Sequence, residues 1–164
     1  MEKISKLIIN TDGGARGNPG PAGIGVVIAD EKGNIISQHK KYIGEATNNQ
    51  AEYQALILAL REAEKISNFK FQISKSPSPN PSPEGRGKEM VLEIRMDSEL
   101  IVRQMQGAYK IKEPQLKVLA AEAFKLSNGF KSVAFRHVPR EQNKRADKLV
   151  NEAIDGALPY PNFF

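Results

Sequence analysis

Four carboxylates stand out by where they fall in the chain: Asp12, Glu52, Asp97 and Asp147. Asp12 follows the apolar run 7–11 and Asp97 follows the run 90–96, so each is expected at the carboxyl end of a strand. Where two such strands are parallel neighbours, their carboxyl ends meet in the crevice that is the usual ligand site of an α/β sheet. Glu52 is expected in the first turn of one helix and Asp147 near the start of the last. Like charges sharing a site raise one another's pKa, so a carboxylate cluster stays ionised only beside a strong cation. With no Cys and two His, an all-oxygen cluster calls for a hard ion such as Mg²⁺ or Mn²⁺ rather than zinc. Two such ions, about 3.5–4 Å apart, activate a water and stabilise the leaving oxygen of a phosphodiester. Each acid taken alone also has a plainer reading. Glu52 and Asp147 would complement a helix dipole, worth about 0.3–1 kcal/mol, and Asp12 and Asp97 would be turn or capping acids. Only convergence of the four separates the readings.

The elements that must position these acids are legible in outline. Apolar runs at 7–11, 24–29, 35–43, 90–96 and 132–138 predict five strands, the second and third forming an antiparallel hairpin about the turn 30–34. Helices are expected from the capping residues 47–52 through 64, then over 98–106, 114–126 and 142–154, with Asn128-Gly129 as a stop signal. The order β-β-β-α-β-α-α-β-α argues for an α/β chain with a mixed sheet covered by helices. The segment 74–88 holds four of the ten prolines and no large apolar residue. Such a composition cannot bury enough surface to order itself, and predicts a mobile surface loop inside a single domain spanning 1–164. A polyproline ligand is the less expected use of it. The apolar tail 158–164 is expected to pack on the body.

Composition narrows the function classes. With 24 Lys+Arg against 19 Asp+Glu, the net charge is +5. That permits a polyanion partner without requiring one. The longest apolar run, 55–60, is far short of the roughly 20 residues needed to cross a bilayer. The acid-bearing start predicts no secretory leader, and the absence of Cys removes disulfide scaffolds and Cys catalysis; a cytoplasmic location is expected. The glycines after Asp12 admit close approach of a substrate backbone or an ordinary turn. No Gly-Lys-Ser/Thr follows, so this is not a Walker loop.

Taken in series, Asp12-Gly13-…-Gly17-Asn18-Pro19-Gly20, Thr47-Asn48-Asn49-Gln50-Ala51-Glu52, Asp97-Ser98, His137 and Asn143-…-Ala146-Asp147 resemble the ribonuclease H family, type 1. The resemblance covers nearly the whole chain outside 74–88. It implies a five-stranded mixed sheet, three antiparallel strands then two parallel, flanked by helices. The implied activity is endonucleolytic hydrolysis of the RNA strand of an RNA–DNA hybrid, leaving 5′-phosphate and 3′-hydroxyl ends. The implied cofactor is a pair of Mg²⁺ ions, with Mn²⁺ as possible substitute, held by Asp12, Glu52, Asp97 and Asp147. Asn18, Asn48 and Asn49 match positions that contact the hybrid, RNA 2′-hydroxyls included, Gly13 and Gly14 are where a substrate backbone could approach, and Thr47 matches a position that binds a DNA-strand phosphate. The 2′-OH that separates RNA from DNA is both donor and acceptor, as is an Asn amide; helix capping is the alternative use of these polar side chains. His137 matches a histidine assisting proton transfer or product release, with Arg140 as its rival.

Two departures stand out. The basic, tryptophan-bearing protrusion of better-known bacterial members is missing: there is no Trp, and 108–117 carries only Lys110, Lys112 and Lys117. Binding would then lean on residues such as Arg16, Lys40, Lys41 and Arg103. The second departure is the 74–88 insertion, tolerable because loop closure costs about 0.6 kcal/mol per doubling of length. No membrane and no obligate protein partner is expected, and a monomer is the simplest state. The rival functions are a non-catalytic hybrid- or RNA-binding module and a DNA-directed nuclease of the same superfamily.

Overall fold

A computed structural model describes residues 3–74 and 89–158. Apart from Ser74, the expected loop 74–88 lies outside the described residues, as does the apolar tail beyond Leu158. The elements are β1 (Lys6–Ala15), β2 (Gly20–Ala29), β3 (Ile35–Ala46), α1 (Asn48–Ser74), β4 (Val91–Met96), α2 (Glu99–Met105), α3 (Pro114–Ser127), β5 (Ser132–His137), a single 3₁₀ turn (Arg140–Gln142) and α4 (Lys144–Ala157). They form one five-stranded sheet in the order β3-β2-β1-β4-β5. β1 pairs antiparallel with β2 and β2 with β3, while β4 runs parallel to both β1 and β5. This is the mixed sheet that the element order predicts.

Alternation along β1 and β4 sets the core. Leu7 and Ile9 of β1, with Leu92, Ile94 and Met96 of β4, are buried with Tyr53, Leu56, Leu60 and Ala63 of α1. β2 is buried along nearly its whole length, because α1 packs on one of its faces and α4 on the other. That double cover explains why its sequence reads as a continuous apolar run instead of an alternating one. α3 packs on the outer side of α1, and α2 lies against β5. No described helix is long and apolar enough to cross a membrane.

Two boundaries differ from the sequence reading in ways that bear on the site. β1 does not end at Asp12 but runs on through Gly13 and Gly14 to Ala15, paired there with β2 alone. Its pairing with β4 stops at Thr11↔Met96, so Asp12 and Asp97 each stand one step past the last parallel pair. α1 begins at Asn48, which puts Glu52 in its second turn, beyond the first-turn position where an acid merely complements the dipole. It also continues past Glu64 to Ser74.

The close helix–sheet contacts depend on missing side chains. A Cβ on Gly13 would overlap the Ala51 backbone of α1, and one on Gly25 would overlap the Ala146 carbonyl of α4. Gly25→Ala should therefore force α4 away from β2 and cost about 1–3 kcal/mol, the usual range for overpacking. Urea unfolding measures this directly, and a loss under about 0.5 kcal/mol would show that α4 is free to shift.

Candidate metal centre

Four elements, β1, β4, α1 and α4, deliver the four acids to one place. The β1–β4 register puts Asp12 beside Asp97 at the carboxyl ends of two parallel strands. Ser98 follows and caps α2, its hydroxyl accepting from the Ile101 amide at 3.4 Å. Glu52 is aimed by the start of α1, which is closed by a reciprocal pair. The Gln50 amide donates to the Thr47 hydroxyl at 3.1 Å, and the Thr47 amide donates to Gln50 Oε1 at 2.9 Å. Gly13 lets that first turn sit directly on β1.

Asp147 is positioned by a residue to which the sequence reading gave no role. Asn143, 1% exposed, donates from Nδ2 to the Thr11 carbonyl at 2.9 Å and accepts from Asn10 Nδ2 at 3.0 Å. It thus ties the start of α4 to β1. Its carbonyl accepts from the Asp147 amide at 3.1 Å, the first turn of that helix. Asn143 was legible as part of a motif, but a neutral amide gives no sign in sequence that it is a buried fastening.

Asp12, Glu52, Asp97 and Asp147 all line one cleft of about 520 Å³. Carboxylate oxygens of Asp12, Glu52 and Asp97 lie within 4.8 Å of one another. Asp147 is the fourth, close enough to Asp12 to raise its pKa, and its Oδ1 lies 3.8 Å from Arg140 Nη2. Asp12 and Glu52 are buried, and Glu52 Oε2 is fully enclosed with no hydrogen-bond partner. Burial pushes the Asp12 carboxyl up to about 8, helped by the negative charges of Asp97 and Asp147. Burial also drives Glu52 well above the ordinary range, helped by Asp12 and Asp97. A buried, unpartnered carboxylate oxygen facing two other acids is an environment that a cation would satisfy. The all-oxygen donor set fits a hard divalent ion.

The remaining expected residues separate into those at the cleft and those away from it. Gly13, Gly14 and Asn48 line it, as do Arg16 and Arg140. The Asn48 side chain accepts from the Ala15 amide at 2.9 Å, while Asn18 Oδ1 accepts from the Asn48 amide at 3.0 Å. Both amide oxygens are engaged, which leaves both NH₂ groups as donors. Thr47 uses an oxygen lone pair for the cap, so its hydroxyl proton is free to donate. Asn49 lines a second groove with Leu100, Gln104, Tyr109, Lys110 and Leu116. His137 ends β5 as an exposed residue and does not line the acidic cleft. Of the basic residues singled out in the sequence, Lys40 pairs with Glu152 at 3.0 Å and Arg103 with Glu99 at 3.8 Å, both away from the cleft.

These shifts fix the sign of a pH dependence. A folded pKa near 8 against 3.8 for a free carboxyl means that, between those values, folded Asp12 keeps a proton that the unfolded chain releases. The stability of the metal-free protein is therefore greatest below pH 4 as far as this group is concerned, and is lost as pH rises through 8; Glu52 acts in the same direction. A divalent cation held by the cluster would replace the lost proton. In thermal melts, millimolar Mg²⁺ should raise Tm more at pH 8 than at pH 5. Without metal at pH 8, Asp12→Asn should be more stable than the parent by about 1–3 kcal/mol. An equal Mg²⁺ shift at both pH values, or a destabilised Asp12→Asn, would contradict this.

Comparison with known proteins agrees with this geometry. A family model described as reverse transcriptase-like matches residues 10–70 and 88–153. A ribonuclease HI of Halobacterium salinarum is 40% identical over 146 residues, covering 89% of this chain and 63% of that protein. A bifunctional protein of Mycobacterium tuberculosis is 39% identical over 153 residues, 93% of this chain. The chain spans only 36% of that relative's length. Among solved structures, LC11-RNase H1, isolated from compost by a metagenomic approach, superimposes with a TM-score of 0.80 at 52% identity, covering 95% of this chain and all of that one. The same protein in complex with an RNA/DNA hybrid gives 0.79, also at 52% identity. Sheet order, the clustered acids and these relatives agree: the chain belongs to the ribonuclease H family, type 1.

Proposed function

We propose that this chain hydrolyses the RNA strand of RNA–DNA hybrids, as a metal-dependent endonuclease leaving 5′-phosphate and 3′-hydroxyl ends. The observation that carries the reading is Glu52 Oε2, buried without a partner between Asp12 and Asp97. Support comes from the relative at 52% identity that was solved with an RNA/DNA hybrid. Asp12, Glu52, Asp97 and Asp147 would hold two Mg²⁺ ions, with Mn²⁺ as a substitute. When bound, the ions supply a water activated near neutral pH and stabilisation of the leaving oxygen.

The chain's own residues do the rest. Gly13, whose bare face admits α1, and Gly14 border the cleft beside Asp12, where a substrate strand can lie against their backbone. Asn18 and Asn48, with their oxygens held internally, turn NH₂ donors outward to sugar hydroxyls and phosphates. Thr47 donates its free hydroxyl proton to a phosphate of the DNA strand, and Asn49 borders the groove on that side. Arg140 is favoured over His137 as the residue assisting turnover, because it lines the cleft beside Asp147. As a permanent cation it acts by charge and does not take up a proton. On the same reading the chain acts in the cytoplasm as a monomer, with residues 1–164 belonging to one catalytic domain.

The test is a labelled RNA–DNA hybrid incubated with Mg²⁺, beside an all-DNA duplex and beside Asp12→Asn. Cleavage of the RNA strand alone is expected, with kcat for Asp12→Asn lower by at least about a hundredfold. Arg140→Ala should lower kcat more than His137→Ala does. Binding of the hybrid without Mg²⁺-dependent cleavage would favour a non-catalytic module. Cleavage of the DNA duplex would favour a DNA-directed nuclease.

A further inference from the structure

The acidic cleft has a basic end whose residue is rigidly rooted and held by a displaceable partner. Arg16 follows the last residue of β1 and lines the cleft with the four acids. Its backbone is fixed by the turn after it. The Arg16 amide donates to the Pro21 carbonyl at 2.8 Å, and Gly20 packs so tightly on the Arg16 carbonyl that any Cβ there would overlap it. Gly17, at φ +93°, makes that return possible. The preceding amide, Ala15, is held by Asn48. The guanidinium rests on α4, with Nη1 2.5 Å from Asp155 Oδ1 and Nη2 donating to Asn151 Oδ1 at 3.5 Å. Both members of the ion pair are substantially exposed, at 42% and 65%, so the pair itself adds little to stability.

We infer that Arg16 is a phosphate clamp for the strand lying in the acidic cleft, and that Asp155 is a stand-in anion that a substrate phosphate displaces. This rests on the nuclease reading above. Arg16 lies four residues beyond Asp12 along an extended strand, about 13 Å away. It therefore contacts a neighbouring phosphate of the same strand and not the scissile one. A planar guanidinium with five N–H donors matches two phosphate oxygens, and exchanging a solvated carboxylate for a phosphate costs little. The clamp counters the repulsion that four acids exert on an incoming polyanion. It also offers a substitute for the basic protrusion that this chain lacks.

The test measures binding of a fluorescent RNA–DNA hybrid by anisotropy as a function of salt, and kcat and KM with Mg²⁺, for the parent, Arg16→Gln, Arg16→Lys and Asp155→Asn. Arg16→Gln should weaken binding about 3- to 10-fold, leave kcat within about twofold, and flatten the slope of log Kd against log salt by about one unit. Arg16→Lys should restore the slope but only part of the affinity, because an ammonium cannot engage two oxygens. Asp155→Asn should tighten binding. A pair that serves only the fold would move Arg16→Gln and Asp155→Asn in the same direction and leave the salt slope unchanged, and that result would overturn the inference. A parent that binds the hybrid with this Arg16 dependence but does not cleave it would leave the clamp standing and remove the catalytic reading.

Discussion

Like charges brought together in a place from which water is largely excluded are the constraint around which this molecule is arranged. Asp12 and Glu52 are buried within 4.8 Å of each other and of Asp97, an arrangement that repels itself unless protons or cations intervene. Within the cluster the fastenings are few: the Gly13 amide donates to Asp12 Oδ1 at 3.0 Å, and Asp12 shares hydrogen bonds with Glu52 and Asp147. The arrangement is imposed from outside by hydrogen bonds that do not involve the acids' own carboxylates: the parallel β1–β4 ladder, the Thr47–Gln50 cap and the Asn143 tie to β1. The scaffold thus meets the cost of crowding in advance, and the cluster is left in an arrangement that could hold metal ions.

That scaffold works because side chains are absent where the layers must touch. Gly13 admits α1 to one face of the sheet, and Gly23 and Gly25 admit α4 to the other. The two helices carrying Glu52 and Asp147 therefore approach the strand carrying Asp12 from opposite sides. A larger residue at these positions would push the acids apart before it touched any of them. The same economy runs through the polar residues, whose capping role is compatible with the proposed binding. Thr47, Asn18 and Asn48 each use an oxygen to hold a backbone amide and keep a donor for the outside.

Much of this was legible in the sequence. Apolar runs and capping residues gave all five strands and four helices, because alternation and helical periodicity report burial directly. The acids could be singled out because each interrupts a local pattern. What the sequence could not show was distance. β1 runs on through Gly13-Gly14, where two glycines read as a turn, because pairing with β2 and the cover of α1 outweigh their intrinsic preference. The plainer alternative for Glu52, a first-turn acid complementing the dipole, falls away because the helix starts at Asn48. Asn143 was invisible as a fastening, since its burial depends on β1, more than a hundred residues earlier in the chain. His137 and Arg140 are three residues apart in sequence, yet only Arg140 reaches the cleft, a matter of how the 3₁₀ turn carries the chain from β5 to α4.

A comparison of two buried glutamates shows why the cluster reads as a site and not as a structural ion network. Glu52 and Glu93 are almost equally hidden, at 8% and 6% exposure. Glu93 lies on the face of β4 opposite the core residues Leu92 and Ile94, ringed by Arg95 Nη2 at 2.6 Å, Arg136 Nε at 3.1 Å and Lys6 Nζ at 3.4 Å. Burial alone would raise its carboxyl, but the Arg95 hydrogen bond and charge, with Lys6 and Arg136, hold it below the ordinary range. Glu93 is a charge already answered by its own chain. Glu52 is as little exposed, faces two further acids instead of three cations, and keeps one oxygen unpartnered. Since the chain shows on β4 that it can neutralise a buried glutamate with its own side chains, the lack of any such partner at Glu52 marks a position whose countercharge comes from solution.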